Sequence, residues 1–173
     1  VARAQHLVEQ LLQLSRLAPD TPALRRQDVP LAQLARGVVA DFSTSAEQQG
    51  VDLGAVVAGD PTVAGDPQQL AILLNNLVTN ALRYTPAGGK VDVVAGSQGA
   101  IAFLSVVDSG PGIAHAERLR VFDRFYRTPN SSAEGGSGLG LAIVKAVAEQ
   151  HGATTELGDA PGGGLRVTIS FPA

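Results

Sequence analysis

The chain has 173 residues, 45% of them hydrophobic and 17% charged, with a formal net charge of -3. That length buries a sizeable core, as one soluble domain with a small appendage. The acidic balance offers no electrostatic footprint for nucleic acid, and no apolar run reaches the roughly 18 residues that read as a membrane span. Cysteine is absent, which removes disulfides and thiolate metal sites, and methionine is absent even at position 1. The expectation is a piece of a longer protein or a processed product.

In chain order, "QHLVEQLLQLSRL" places Leu7, Leu11 and Leu14 on one face, with Val8 and Leu12 widening the stripe, the pattern of an amphipathic helix. Pro19 and Pro22 stop it. A polar stretch ending in "DVP" leads into a second helical pattern from Leu31 to about Gln49, closed by Gly50. "VDLGAVVA" reads as a short strand. Asp66 and Pro67 read as N-cap and first position of a helix that runs to Tyr84. The strands "KVDVVAG" and "IAFLSVVD" follow, the second almost continuously apolar and therefore central. A loop region rich in Gly, Ser and Arg occupies residues 109–137, then a helix runs from Leu139 to His151, and "ATTEL" and "LRVTISF" close the sheet. No repeat is evident. This order implies a two-layer α/β sandwich, a mixed sheet with helices on one face.

The third helix contains "LLNNLVTNALRYTP", in which three asparagines interrupt an apolar pattern although Asn is a poor residue for a helix interior. Asn76 and Asn80 are four apart, with Arg83 and Tyr84 one turn on, so all four lie along one side. Leu70, Leu73, Leu74, Leu77 and Ala81 line the side that packs on the sheet. A carboxamide oxygen is a hard neutral ligand suited to Mg²⁺, which takes its other oxygens from water and phosphate, and an Arg one turn on can meet those phosphates. The alternative is a set of solvated helix-face residues.

"VVDSGPGI" puts Asp108 at the end of the apolar strand, ahead of Gly110 and Gly112. A carboxylate there can accept from the exocyclic amine of adenine, where guanine presents an oxygen. The glycines let backbone approach a flat base, although such a pattern alone is more often a turn. In "GGSGLGLAIV", Gly136, Gly138 and Gly140 run into a helix start, where amides attract phosphate. The spacing is not that of a dinucleotide fingerprint, and "GGKV" lacks the upstream glycine of a phosphate-binding P-loop. Between the clusters lies "RVFDRFYR", with Phe122 and Phe125 as aromatic anchors of a lid and Arg124 and Arg127 as cations, or alternatively as core residues and surface charge.

In order and combination these motifs resemble the ATP-binding catalytic domain of bacterial sensor histidine kinases, within the wider gyrase, heat-shock chaperone, kinase and mismatch-repair ATPase fold. "NNLVTNALRYTP" is similar to the asparagine box, "DSGPGI" to the first glycine box, "VFDRFYR" to the phenylalanine box and "GSGLGLAIV" to the second glycine box. The resemblance covers about residues 28–173, with 1–18 resembling the end of the second helix of a dimerisation domain and 19–27 a linker. It implies ATP and Mg²⁺ as cofactors, with Asn80 on the metal, Asn76 supporting it and Arg83 on phosphate as the catalytic set. It further implies Tyr84 beside the nucleotide and Asp108 on the adenine amine. Gly110, Gly112, Ile113, Phe122, Arg124, Phe125, Arg127, Gly136, Ser137, Gly138, Leu139, Gly140 and Leu141 complete the implied nucleotide pocket and lid. Asn75 receives no role and reads as a solvated or capping residue.

The resemblance implies an enzyme of a two-component system, a histidine kinase that dimerises in its full-length form. It passes phosphate to a response-regulator aspartate, and its missing N-terminal part spans the inner membrane while this part is cytoplasmic and makes no membrane contact. No phosphoacceptor motif is present: His6 precedes Leu7 and Val8, His115 lies in a loop and His151 before Gly152. The expectation is a fragment that binds ATP without phosphorylating itself, monomeric or weakly dimeric, with a lid over 128–136 mobile without nucleotide. Two alternatives stand beside this. A hydrolase of the same fold carries a glutamate four residues before the metal asparagine as general base, a place that Asn76 fills here. A degenerate nucleotide-binding interaction module would use the Leu7, Leu11, Leu14 stripe for pairing.

Overall fold

The computed structural model describes residues 2–16, 24–129 and 135–172. In chain order the elements are α1 (Ala2–Arg16), β1 (Gln27–Pro30), α2 (Leu31–Gln49), β2 (Asp52–Val57), β3 (Thr62–Gly65), α3 (Pro67–Tyr84), β4 (Lys90–Gln98), β5 (Ile101–Asp108), a short 3₁₀ turn (His115–Glu117), α4 (Gly140–Gln150), β6 (Thr154–Asp159) and β7 (Leu165–Phe171). The stop at Pro19 and Pro22 and the middle of the anticipated lid, 130–134, lie outside the described residues.

Five strands form one mixed sheet in the order β2-β4-β5-β7-β6, with β2 and β4 parallel and the other neighbours antiparallel. The apolar strand β5 is indeed central. Alternation along the strands sends Val91, Val93 and Ala95 of β4, Leu104 and Val106 of β5, and Val167, Ile169 and Phe171 of β7 into the core. Against them α3 packs Leu70, Leu73, Leu74, Leu77 and Ala81, and α4 packs Ile143, Val144, Val147 and Ala148. Each buried Leu or Ile removes apolar surface worth about 2 kcal/mol from water. The result is the two-layer α/β sandwich expected.

Strands β1 and β3 are the part of the fold not anticipated. They pair antiparallel as a separate ribbon, Val29 opposite Val63, both buried. Four residues ending in proline show no periodicity of their own, and it is the partner 34 or so positions away that makes "DVP" extended. Helix α1 lies against the core through Leu14 and Leu7, while Val8, Leu11 and Leu12 stay exposed.

Two local devices fix the helices that matter for the site. Asp66 caps α3, its Oδ1 accepting from the N–H groups of Gln68 (2.9 Å) and Gln69 (3.2 Å). His151, buried just beyond α4, accepts from the Asp66 N–H at Nε2 (3.0 Å) and lies with Nδ1 2.8 Å from the Val147 carbonyl. That pairing places the proton on Nδ1 of a neutral ring. It ties the end of α4 to the start of α3, so the far end of α3 meets the start of α4.

Candidate functional site

That meeting point is a cavity of about 640 Å³ between α3, α4, the loop after β5, the β6–β7 turn and α1. Its volume suits a ligand of nucleotide size. From α3 come Asn75, Asn76, Thr79, Asn80, Arg83 and Tyr84. Asn76 and Asn80 stand at the first residue of α4: a Cβ on Gly140 would lie 3.3 Å from Asn80 Nδ2 and 3.4 Å from Asn76 Oδ1. The glycine thus lets helix start and carboxamides share one wall. Asn76 is oriented by donating from Nδ2 to the Ile72 carbonyl at 2.8 Å, which turns its Oδ1 outward. Arg83 reaches the incoming glycine turn, where a Cβ on Gly136 would stand 2.7 Å from Nη1.

Asp108, the last residue of β5, forms another part of the wall. Its Oδ1 accepts from the N–H groups of Gly110 (2.8 Å) and Leu165 (3.2 Å), which leaves Oδ2 without a partner among the described residues. Burial pushes this carboxyl above its ordinary value, and the two backbone donors pull it back in part. The turn from β6 into β7 comes so close that a Cβ on Gly164 would lie 1.7 Å from the Asp108 carbonyl oxygen, a contact only glycine allows. Arg118 closes the same side by pairing with Asp159 and donating from Nε to the Ile113 carbonyl at 3.0 Å.

The structure therefore brings Asn76, Asn80, Arg83, Tyr84, Asp108, Gly112, Ile113, Arg127, Gly136, Ser137, Gly138, Gly140 and Leu141 to one cavity. Five candidates stand off its wall. Gly110 acts behind it, through its N–H on Asp108. Leu139 is fully buried, because the residue entering α4 anchors that helix in the core. Phe122 is half-buried, Arg124 is exposed, and Phe125, whose backbone has a left-handed φ of 63°, is 58% exposed. What Phe125 contributes is backbone: its N–H donates to the Gly138 carbonyl at 2.9 Å.

Asn75 corrects the sequence reading. It lies in mid-helix, where it caps nothing, and it lines the cavity with Oδ1 buried and without a hydrogen-bond partner. Helix α3 presents two adjacent polar columns to the cavity, at 75 and 79 as well as 76 and 80. Missed were Gln10, Arg118 and the Gly163–Leu165 turn, which line or brace the site, and His115, read only as a loop residue, lines it as well. Of these only "GGGL" at 162–165 carried a signal, as a glycine run that a tight approach would need. His115 is exposed, 3.9 Å from Asp159, and His151 is structural.

The donor set fits a hydrated divalent cation shared with a phosphate chain. Among the described residues no cluster of three or more His, Cys, Asp or Glu exists to cage a metal, whereas carboxamide oxygens gather beside Gly140. Mg²⁺ needs only one or two protein oxygens when phosphates and water supply the rest.

Residues 65–173 match the family model described as histidine kinase-, DNA gyrase B-, and HSP90-like ATPase. The chain is 40% identical over 173 residues to the sensor protein kinase PmrB of Pseudomonas aeruginosa, covering 99% of this chain and 36% of that protein. It is 38% identical over 172 residues to the sensor protein QseC of Escherichia coli K12, covering 99% of this chain and 37% of that one. In three dimensions it is similar to the crystal structure of full-length ShkA in complex with AMPPNP, with a TM-score of 0.85 at 31% identity over 96% of this chain and 35% of that one. The chain thus spans little more than a third of the curated relatives it matches. It belongs to the histidine kinase-, gyrase B- and HSP90-like ATPase family, as an ATP-binding catalytic domain of the sensor histidine kinase type.

Proposed function

We propose that this chain binds Mg²⁺·ATP and serves as the catalytic domain of a two-component sensor histidine kinase, transferring the γ-phosphoryl group to a histidine on a dimerisation domain. The observation that carries the reading is the convergence of Asn76, Asn80 and the Gly140 helix start on a cavity that Asp108 also lines with a free oxygen. Asp108 Oδ2 accepts from the adenine amine, and Gly112 and Ile113 lie along the base. Asn80 holds the metal, with Asn76 beside it and Arg83 on phosphate. When bound, Mg²⁺ neutralises charge on the transferring phosphoryl group. The chain's own residues position the nucleotide, exclude water and present the amides at the start of α4 to anionic oxygen.

Transfer is favoured over hydrolysis by Asn76. A carboxamide cannot take a proton from water at neutral pH, so no general base stands four residues before Asn80. In this reading α1 derives from a dimerisation domain through which the whole protein self-associates, the onward acceptor is a response-regulator aspartate, and the domain works on the cytoplasmic side of the inner membrane. No helix among the described residues is long and apolar enough to cross a membrane.

The test is phosphoryl transfer. The chain is incubated with γ-labelled ATP, Mg²⁺ and a separate histidine-bearing dimerisation segment from a similar kinase. Label on the segment that vanishes with Asn80→Ala supports the proposal. Rapid release of inorganic phosphate without label on any histidine favours the hydrolase reading instead.

A further inference from the structure

Helix α1 forms part of the cavity wall beside the asparagines. Gln10 is 6% exposed, and a long polar side chain is rarely so buried unless its hydrogen bonds are made. Its Oε1 accepts from Ser137 Oγ, and its Nε2 donates to Asn76 Oδ1 at 3.5 Å. Ser137 Oγ in turn accepts from the Leu139 N–H at 3.2 Å, at the threshold of α4. One carboxamide from α1 therefore occupies both the outward oxygen of Asn76 and the hydroxyl of the glycine turn. Glu9 and Gln13 line the same wall, with Glu9 exposed at the mouth.

These contacts engage groups that a Mg²⁺-bound phosphate chain would use, the Asn76 Oδ1 that would face the metal and the Ser137 hydroxyl that can donate to phosphate, and Glu9 adds a like charge facing a polyanion. Among the described residues no hydrogen bond joins α1 to the nucleoside side of the cavity at Asp108 and Gly112, where Asp108 pairs with Gly110 and Leu165 instead. The consequence is discrimination by the number of phosphates, since each one extends toward Gln10 and adds negative charge near Glu9.

Resting on the nucleotide reading above, we propose that Gln10 and Glu9 are specificity determinants for phosphate-chain length. While α1 is docked the pocket accepts the nucleoside end and disfavours the triphosphate, and loading of the triphosphate displaces α1. The two residues act differently. Gln10 competes by hydrogen bonding at short range, and Glu9 acts through an exposed charge that salt screens.

The experiment compares the chain with Gln10→Ala and Glu9→Gln variants by titration with ATP, ADP and adenosine, all with Mg²⁺, at about 50 and about 500 mM salt. Gln10→Ala is expected to bind ATP about five-fold more tightly, ADP less so and adenosine unchanged, at either salt concentration. Glu9→Gln is expected to bind ATP about two-fold more tightly at low salt only. Unchanged or weakened ATP binding in Gln10→Ala overturns the proposal, and so does an equal change for all three ligands, which marks a merely structural role. Failure of every variant to bind any of the three overturns the nucleotide reading itself. A second measurement leaves Gln10 in place. The chain lacks cysteine, so Leu12→Cys on α1 and Lys145→Cys on α4, both exposed, carry a unique pair of spin labels. Their separation lengthens with ATP and stays constant with adenosine; a constant separation at saturating ATP overturns the displacement of α1.

Discussion

The backbone N–H of Leu165 donates to Oδ1 of Asp108 at 3.2 Å, joining residues 57 positions apart at the ends of neighbouring strands. Together with the Gly110 N–H it commits one carboxylate oxygen to the protein and leaves the other for a ligand. Asp108→Asn breaks this division whichever way the carboxamide turns. Its NH₂ group faces either two backbone donors or the donor of the adenine amine. The expected loss is about 2 kcal/mol of binding, some thirty-fold in affinity for ATP, measured by calorimetry. Because burial raises the carboxyl above its ordinary value, wild-type affinity also declines on acidification at a higher pH than an unperturbed aspartate would give.

Gly164 is the second consequence of that strand pairing. Alanine there would drive its Cβ to 1.7 Å from the Asp108 carbonyl oxygen and 2.6 Å from its carbon, and backbone atoms cannot rotate away. Gly164→Ala is expected to cost about 3 kcal/mol, lowering Tm by roughly 10 °C and weakening nucleotide binding with it. Gly158→Ala is the control. It has open space around the site of a Cβ and no left-handed φ, so its Tm should match the wild type within about 2 °C.

His151 makes stability depend on pH. Burial lowers its pKa below the usual histidine value, with Arg26 lowering it further, while the hydrogen bond to the Val147 carbonyl and the Asp66 carboxylate act against the shift. A depressed folded-state pKa means that the unfolded chain takes up the proton first. The contribution to stability is therefore complete above the ordinary histidine pKa and is lost as pH falls through the folded value. Thermal unfolding from pH 8 to pH 5 should show a declining Tm that His151→Gln flattens. An equal decline in that variant would assign the effect to other groups.

Asp66 shares that junction and caps α3. Asp66→Ala should cost about 1 kcal/mol, seen as a lower Tm, with Asp66→Asn recovering most of it because the amide oxygen can still accept from Gln68 and Gln69.

What was legible in the sequence follows from how local each signal is. The cap at Asp66, the left-handed Gly50 and the alternation of β4 and β7 are written within a few residues, and all appear in the structure. The ribbon of β1 and β3 depends on a distant partner and was silent. In the site, helix periodicity placed Asn76, Asn80, Arg83 and Tyr84 on one side, whereas Asn75 was read as a solvated or capping residue, since periodicity could not show that the cavity wraps far enough around α3 to reach a second column. Phe122 and Phe125 read by residue type as lid anchors or as core residues, yet Phe125 is 58% exposed, at a left-handed φ of 63°. Gln10 and Arg118 gain significance only from partners at Ser137 and Asp159, which no local pattern announces.

In the proposed reading Asn80 and Asp108 are the metal-linked and base-recognising ends of one nucleotide site. Calorimetric titration of the chain with ATP and with GTP, each with and without Mg²⁺, tests it most directly. ATP is expected to bind in a Mg²⁺-dependent manner, at least about ten-fold tighter than GTP, with the metal dependence abolished in Asn80→Ala and the base preference abolished in Asp108→Asn. Equal binding of ATP and GTP, or binding of ATP that Mg²⁺ and Asn80→Ala leave unchanged, would contradict it.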